Sequence, residues 1–335
     1  MQVTMNATRT PCLGPRRLLP SRVLARSPLL VCASAQPLVA TTGSYGSGSN
    51  GVVTTTPAAP TTVSVASPVR AVSVLTPAQA YENVTNLGAT KAALPPLATF
   101  VQGIQAGVYI AFGAFLACAV AGTVPGLAAS NPGLSKLLFA LVFPVGLALV
   151  TNCGAELYTG NTMKLTCAVF EGKATFRQLL KNWVLSYAGN LVGSLAMVAA
   201  VHATGILASN SLPVTMATAK TSLSLTQVLT RSVLCNWLVC CAVWSASAAT
   251  SLPGRVMGLW PPITAFVAIG LEHSVANMFV IPLGMVLGAQ VTWEQFLWSN
   301  LLPVTLGNTI AGVVLMACAY SISYGALGKA FRKSA

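Results

Sequence analysis

The sequence predicts an all-α membrane protein with six spanning helices in two inverted triplets, of which the second and fifth helices are broken. Charged residues make up 7% of the 335 residues and hydrophobic residues 54%, whereas a soluble surface needs several times more charge. Six apolar stretches are long enough to cross a bilayer, which takes about 20 residues. Two of them contain the pattern Gly-x-Glu-x4-Asn, beginning at Gly154 and at Gly270, 116 residues apart. Matching interruptions in two halves of a chain indicate a membrane pathway built from an internal repeat.

The basic excess does not point to nucleic acid. Eighteen Lys and Arg against five acidic residues give a formal charge of +13. These basic residues do not cluster with aromatic side chains on a soluble module, so we expect no nucleic-acid partner. The nine cysteines fall mainly in apolar runs and lack Cys-x-x-Cys spacing. We interpret them as small packing residues rather than as metal ligands or disulfides.

The amino-terminal region has the composition of a targeting segment. Residues 1–33 combine several Arg, Ser and Thr with no acidic residue, which is typical of an organelle transit peptide. The sequence before Ala33 resembles the cleavage context of plastid precursors, and Ala71 ends a second candidate; a disordered cytosolic tail is the alternative. Residues 34–75 are rich in Thr, Ser, Ala, Gly and Pro and predict a disordered linker.

Both ends of the membrane domain carry short additional segments. Thr76 and Pro77 supply an N-cap and a first-turn proline, and Gly88 supplies an end. Residues 76–95 are therefore predicted to contain an amphipathic helix that lies at the membrane interface. Residues 326–335 form a basic tail after the membrane domain, which is predicted over residues 96–325.

The six spans divide into two related halves. They are predicted near residues 100–122, 134–170, 178–204, 226–249, 258–289 and 301–323. A second match supports duplication, because the pairs Gly189-Asn190 and Gly307-Asn308 lie 118 residues apart in the third and sixth spans. Three spans per half is an odd number, so the two halves insert with opposite orientations.

The distribution of basic residues predicts the orientation. With the amino terminus inside, nine basic residues fall on the inner side and three on the outer side. The inner set is Lys91, Lys164, Lys173, Arg177, Lys181, Arg255, Lys329, Arg332 and Lys333, and the outer set is Lys136, Lys220 and Arg231. Both termini are therefore expected inside, which is the stroma if the leader is a plastid one.

Several motifs in a fixed order resemble the formate/nitrite transporter family. They are residues 154–161, Lys181-Asn182-Trp183, Gly189-Asn190, residues 234–240 and residues 270–279. The resemblance covers about residues 76–325. It implies an aquaporin-like fold, a homopentamer, one anion pore in each protomer, no cofactor and no enzymatic activity. The leader further resembles the green-algal plastid-envelope branch, whose members carry nitrite and bicarbonate.

The resemblance also implies roles for individual pore residues. His273 matches the central pore histidine and Thr159 the threonine that faces it, while Asn236 matches an asparagine further down the fourth span. Lys220 matches a vestibule lysine, and Lys136 is expected at the same outer mouth, where the alternative is a lysine that snorkels from a helix end.

Other matched positions are apolar or structural. Phe143 and Leu147 match an inner constriction and Phe266 an outer one. The loop-structuring residues are Glu156, Glu272, Asn161 and Asn277. Two positions depart from the family pattern: Tyr158 stands where Phe is common, and Arg231 adds a positive charge on the outer side.

An anion that enters a low-dielectric pore loses its hydration at a high cost in free energy. The amino-terminal ends of two half-helices offset part of that cost, and Lys136 and Lys220 raise the anion concentration at the mouth. The preferred hypothesis is that His273 protonates a weak-acid anion, which then passes as a neutral molecule; the alternative is that the anion stays charged and His273 only donates a hydrogen bond. Bicarbonate and nitrite are the favoured substrates, and formate is a further candidate.

Two other classes of function remain as alternatives. An intramembrane enzyme could use Glu156, Glu272 and His273 as acid/base groups or metal ligands, but the sequence has no nucleophile motif and no cofactor loop. A purely structural protein would not need broken helices. We find no soluble nucleotide-binding domain, which excludes ATP-driven pumping.

Overall fold

The computed structural model describes residues 74–334. The transit peptide predicted over residues 1–33, both candidate cleavage sites and the linker up to residue 73 lie outside the described residues. Within the described range the secondary structure is helical, apart from one isolated antiparallel bridge between Val74 and Ala249. Six helices are long and apolar enough to cross a membrane: Pro96–Ala121, Pro132–Asn152, Phe176–Thr204, Leu225–Ala248, Leu252–Ile269 and Gln295–Tyr324. The chain is a multi-pass membrane protein.

The helices follow the predicted order. The first half contains α1 (Pro77–Ala93), α2 (Pro96–Ala121), the short α3 (Pro125–Ser130), α4 (Pro132–Val142), α5 (Val145–Asn152), α6 (Tyr158–Phe170) and α7 (Phe176–Thr204). The second half contains α8 (Leu212–Thr221), α9 (Leu225–Ala248), α10 (Leu252–Ile269) and α11 (Ser274–Val286). The last span consists of π-helical Gln295–Leu301, α12 (Leu302–Ile310), π-helical Ala311–Cys318 and α13 (Ala319–Tyr324), and α14 (Ala326–Ser334) follows it.

The second and fifth spans are broken where the sequence predicted. The second stops at Asn152 and resumes at Tyr158, and the fifth stops at Ile269 and resumes at Ser274. The first glycine of each motif has a positive φ, +75° at Gly154 and +85° at Gly270. Residues with a side chain rarely adopt this backbone conformation, so glycine is the residue that permits the turn at each break. The inverted repeat with two broken helices is confirmed.

Close packing within each half depends on the paired Gly-Asn motifs. A Cβ on Gly189 would lie 2.5 Å from the carbonyl oxygen of Phe100, and a Cβ on Gly307 would lie 2.6 Å from the Cβ of Ser232. These positions bring α7 onto α2 and the last span onto α9. Small residues at such contacts let membrane helices approach closely.

The helix before the first span is longer and more deeply packed than predicted. α1 begins with a capping box at Thr76 but continues through Gly88 to Ala93. The prediction that Gly88 ends the helix is wrong. A Cβ at Gly88 would lie 2.0 Å from the carbonyl oxygen of Lys164, so the glycine allows α1 to contact α6. The buried face of α1, which includes Tyr81 and Val84, packs against protein.

Each repeat therefore consists of a short helix followed by three spans, rather than of three spans alone. α2 and α9 begin at residues 96 and 225, and Lys91 and Lys220 have the same separation of 129 residues. α1 is thus the counterpart of α8, the short helix that precedes the fourth span.

The predicted starts of the fifth and sixth spans were too late. The helices begin at Leu252 and Gln295, rather than near residues 258 and 301. The first turns contain polar residues such as Arg255, and Thr292 caps the last span by accepting the backbone N–H of Gln295 (3.1 Å). Hydropathy reports the apolar part of a helix and misses the capped polar turn before it.

Candidate functional site

The two interruptions bring an imidazole and a hydroxyl together. His273 is the N-cap residue of α11, Thr159 lies in the first turn of α6, and His273 Nε2 is 3.0 Å from Thr159 Oγ1. The other ring nitrogen, Nδ1, accepts the backbone N–H of Ala276 (3.1 Å). Because Nδ1 accepts, the neutral ring carries its proton on Nε2. Since His273 and Thr159 lie at the amino-terminal ends of α11 and α6, the pair is located where the positive ends of two half-helices meet.

A buried glutamate supports the break in the second span. Glu156 forms an ion pair with Lys91 of α1 and accepts hydrogen bonds from the amides of Asn161 (2.7 Å) and Asn182 (2.8 Å). The amide of Asn161 also donates to the side-chain oxygen of Asn182 (2.9 Å). The carboxylate thus binds side chains of three helices, α1, α6 and α7.

The fifth span repeats this network residue for residue. Glu272 pairs with Lys220 of α8 (2.9 Å) and accepts from Asn277 (2.7 Å) and Asn300 (3.2 Å). Asn277 also donates to Asn300 (2.7 Å). These contacts are the kind expected of the loop-structuring roles predicted for the two glutamates and for Asn277 and its counterpart.

Two further asparagines form hydrogen bonds with the backbone at the two breaks. The amide of Asn190 donates to the carbonyl oxygen of Glu156 (2.9 Å), and its oxygen accepts the backbone N–H of Tyr158 (3.0 Å). Asn308 does the same at the other break, donating to the carbonyl oxygen of Glu272 (3.0 Å) and accepting from Ser274 N (2.9 Å). Each interruption leaves backbone groups without helical partners, and in a membrane those groups need such bonds.

A cavity of about 340 Å³ opens on one side of the histidine. We name it the Lys220 vestibule. Its lining includes Lys136, Lys220, Arg231, Phe143, Phe266 and His273. Three of these side chains are cationic, and the Phe266 ring lies beside the imidazole.

A second cavity of about 320 Å³, which we name the Lys164 vestibule, lies toward the other end of α9. Its lining includes Lys91, Lys164, Arg255, Leu147, Leu157 and Gly160. Gly160 follows Thr159 directly, so the His273–Thr159 pair separates the two vestibules. The residues predicted on opposite membrane sides, such as Lys136 and Arg255, line different vestibules.

Comparison with known proteins identifies this architecture. A family model described as "Formate/nitrite transporter" matches residues 78–322. The chain belongs to the formate/nitrite transporter family. A probable formate transporter of Methanothermobacter thermautotrophicus is 44% identical over 74% of this chain and 96% of its own length. The formate channel FocA of Escherichia coli (strain K12) is 34% identical over 75% of this chain and 94% of its own.

Solved structures of family members share the fold. A structure described as an FNT family ion channel has a TM-score of 0.68 and 31% identity, covering 73% of this chain and 98% of its own. One described as a pentameric formate channel with formate bound has a TM-score of 0.60 and 31% identity, covering 68% and 97%. The predicted family and the aquaporin-like fold are confirmed, and the chain is a transporter rather than an enzyme.

The structure regroups the predicted constrictions of this family member. Phe143 was expected beside Leu147, but it lies with Phe266 in the Lys220 vestibule, with ring centroids 6.0 Å apart. The Phe266 ring in turn stacks on His273 at 5.9 Å. Leu147 lines the other vestibule with Leu157. Residues one helical turn apart on a spanning helix lie at different depths, so Phe143 lines the same cavity as Phe266 and Leu147 lines the other one.

Two predicted pore residues do not line either vestibule. Asn236 is fully buried, and its amide donates to the carbonyl oxygens of Asn308 (2.6 Å) and Thr159 (3.3 Å). It therefore ties the fourth span to both repeats and lines neither of the two cavities. Thr159 is also fully buried and meets the pathway through His273.

Sequence reasoning missed the residues that complete the glutamate networks. Lys91 and Asn182 were noted only as a basic residue and as part of a motif, and Asn300 and the cavity-lining Leu157 were not singled out. One signal was available, because Lys91 precedes Lys220 by the same 129 residues that separate α2 from α9. Over residues 74–334, no group of three or more His, Cys, Asp and Glu could hold a metal ion.

Proposed function

We propose that the chain is a channel for small monovalent weak-acid anions, with bicarbonate and nitrite as favoured substrates and formate as a further one. The observation that carries the proposal is the placement of the His273–Thr159 pair between two basic vestibules. The relatives described as formate channels, and the neighbour solved with formate bound, support an anion of this size.

Each step of the pathway has a physical basis. Cationic groups in the vestibules concentrate anions near the pore. Phe143 and Phe266 on one side, and Leu147 and Leu157 on the other, exclude bulk water and large solutes. At the centre, the positive ends of α6 and α11 and the Nε2–H of His273 replace part of the lost hydration.

The hydrogen bonds around His273 favour one of the two mechanisms. Proton uptake on the ring would occur at Nδ1, and that nitrogen accepts the backbone N–H of Ala276. A protonated ring would lose this bond and place two donors against each other. We therefore propose that His273 stays neutral, donates from Nε2 to the passing anion and does not protonate it.

Flux measurements test the substrate class. Purified protein in vesicles is loaded with a pH- or anion-sensitive dye, and uptake of nitrite, bicarbonate and formate is compared with that of sulfate. The proposal requires saturable uptake of at least one of the three and no uptake of sulfate. Empty vesicles are the control, and uptake equal to theirs for all three anions would refute the proposal.

Planar-bilayer recordings test the role of the histidine. If the anion crosses as a charge, the reversal potential follows the nitrite gradient and does not respond to a proton gradient between pH 6 and 8. Nitrite flux in vesicles that carries no current in the bilayer would show passage as the neutral acid and restore protonation at His273.

The setting of the channel is also proposed. One structural neighbour is described as a pentameric channel, which supports a homopentamer with one pore in each protomer. The Arg-rich, acid-free residues 1–33 support the plastid envelope, with both termini toward the stroma and the Lys164 vestibule on the stromal side. Import of the full chain into isolated chloroplasts, followed by protease treatment of the envelope, tests the location and orientation together.

A further inference from the structure

Lys164 is an unusual residue for its position. It lies in α6, one to two turns beyond Thr159, between the fully buried Met163 and Leu165. It is itself only half-buried and lines the Lys164 vestibule. A lysine this deep in a spanning segment is expensive unless its charge meets a partner or a ligand.

No carboxylate of the described residues lies within 4.0 Å of the Lys164 ammonium. Over residues 74–334, the ion pairs within that distance are Lys91–Glu156 and Lys220–Glu272. The nearby Glu156 is therefore paired with Lys91. The half-buried Arg255 of α10 lines this cavity as well, so two cationic groups of the vestibule have no ion pair of their own.

The internal repeat shows that the fold does not require this charge. With the offset of 116 residues between the two break motifs, Val280 is the residue equivalent to Lys164 in the second repeat. Val280 lines the Lys220 vestibule, as Lys164 lines its own. The same site in the bundle thus accepts an apolar side chain in one half and carries a lysine in the other.

We propose that Lys164 and Arg255 form a second anion-binding site, which holds a small monovalent oxyanion in the Lys164 vestibule before it reaches the Leu147–Leu157 constriction. The inference rests on the proposed function for the identity of its ligand. An ammonium and a guanidinium both donate charge-assisted hydrogen bonds to a carboxylate-like group, and the pair supplies the donors for such an ion. The cavity of about 320 Å³ accommodates the ion with some of its water.

A binding measurement tests this site without relying on flux. The probe is 13C-formate, and its NMR line broadening is titrated against the detergent-purified protein carrying His273→Phe, which removes the central donor. Lys164→Met, Arg255→Gln and both together are then added to that background. Val280→Met is the matched control, because it places the same side chain at the counterpart position. Size-exclusion elution checks that each variant keeps the assembly of the wild type.

The expected result is saturable broadening in the His273→Phe protein, with a half-saturating formate concentration that rises on the order of tenfold with Lys164→Met. Arg255→Gln has a similar effect, the double variant adds little to either single one, Lys164→Arg retains binding, and Val280→Met changes nothing. Unchanged titration with Lys164→Met, or no broadening in the His273→Phe protein, would overturn the proposal. Wild-type protein that binds formate through Lys164 but carries no anion would refute the channel function and leave the site standing.

Discussion

His273 uses its two ring nitrogens differently. Nδ1 accepts the backbone N–H of Ala276 and so caps α11, which fixes the ring orientation. Nε2 points to Thr159 and presents the proton. His273 therefore links the end of α11 to the contact with Thr159 in the other repeat. Replacing the ring therefore affects both.

Glu272 is expected to matter more for stability than for ion binding. In Glu272→Gln, the half-buried Lys220 loses its counter-charge while the side chains of Asn277 and Asn300 lose an ionic acceptor. We expect a loss of about 3 kcal/mol, the cost of breaking a buried ion pair, which is measured as a lower unfolding temperature in detergent.

Glu294→Gln is the control for this substitution, because Glu294 is an exposed glutamate near the start of the last span. It should leave the unfolding temperature unchanged. An equal effect of the two substitutions would show that the Glu272 network contributes nothing beyond an ordinary surface charge.

The hydroxyl of Tyr158 has a small and local effect. It is 2.8 Å from Thr309 Oγ1, and the Thr309 hydroxyl also donates to the carbonyl oxygen of Thr305 (2.7 Å). Tyr158→Phe therefore removes one hydrogen bond without leaving Thr309 unsatisfied, and we expect about 1 kcal/mol of lost stability. Thermal unfolding compared with Tyr324→Phe, at an exposed position, measures the difference, and anion flux should be unchanged.

At the scale of helices, α1 and α8 each stabilise one of the two breaks. Each is a short helix before a spanning one, and each supplies the lysine that pairs with the glutamate of a break, Lys91 with Glu156 and Lys220 with Glu272. This explains why α1 must approach α6 closely and why Gly88 lies at their contact.

The sign of the effect of Gly88→Ala depends on this contact. In an isolated helix, glycine to alanine stabilises by roughly 1 kcal/mol. Here the added Cβ would collide with the carbonyl oxygen of Lys164, so we expect a net loss of about 2 kcal/mol from overpacking. Gly133→Ala in α4 is the control, because a Cβ there meets no atom within 4 Å and should be neutral or slightly stabilising. Equal behaviour of the two variants in thermal unfolding would contradict the assigned contact.

The sequence was informative wherever the relevant residues were close in the chain. The breaks were predictable because one motif holds the glycine of the turn and the glutamate and asparagine that support it. The role of α1 was not, since Lys91 lies 65 residues from Glu156 and no shared motif links α1 with α8. The depth of Phe143 was also hidden, because residue type does not report which vestibule a side chain faces.

The placement of Asn236 shows a different limit. A buried asparagine in a spanning helix is expected either to contact a permeating ion or to hold helices together, and the residue type alone does not separate the two. Its amide faces the backbone of Thr159 and Asn308. The role of Asn236 therefore depends on hydrogen bonds to other helices, and no sequence pattern links it to those helices.

At the scale of the whole molecule, the repeat builds two unequal vestibules. The Lys220 vestibule contains aromatic rings and the imidazole, whereas the Lys164 vestibule has Leu147 and Leu157 and a lysine, Lys164, where the other half has Val280. An inverted repeat with identical halves would treat anions alike from both sides. The unequal linings predict different half-saturating concentrations for nitrite added to the two sides of a bilayer that contains uniformly oriented channels.

Anion flux through His273→Phe protein tests the central claim most directly. The substitution keeps an aromatic ring against Phe266 but removes the Nε2–H that faces the pathway. In vesicles with equal amounts of assembled protein, we expect saturable uptake of nitrite, bicarbonate or formate by the wild type. We expect His273→Phe to show only the uptake of empty vesicles. Uptake by the variant at the wild-type rate would contradict a pathway through the His273–Thr159 pair.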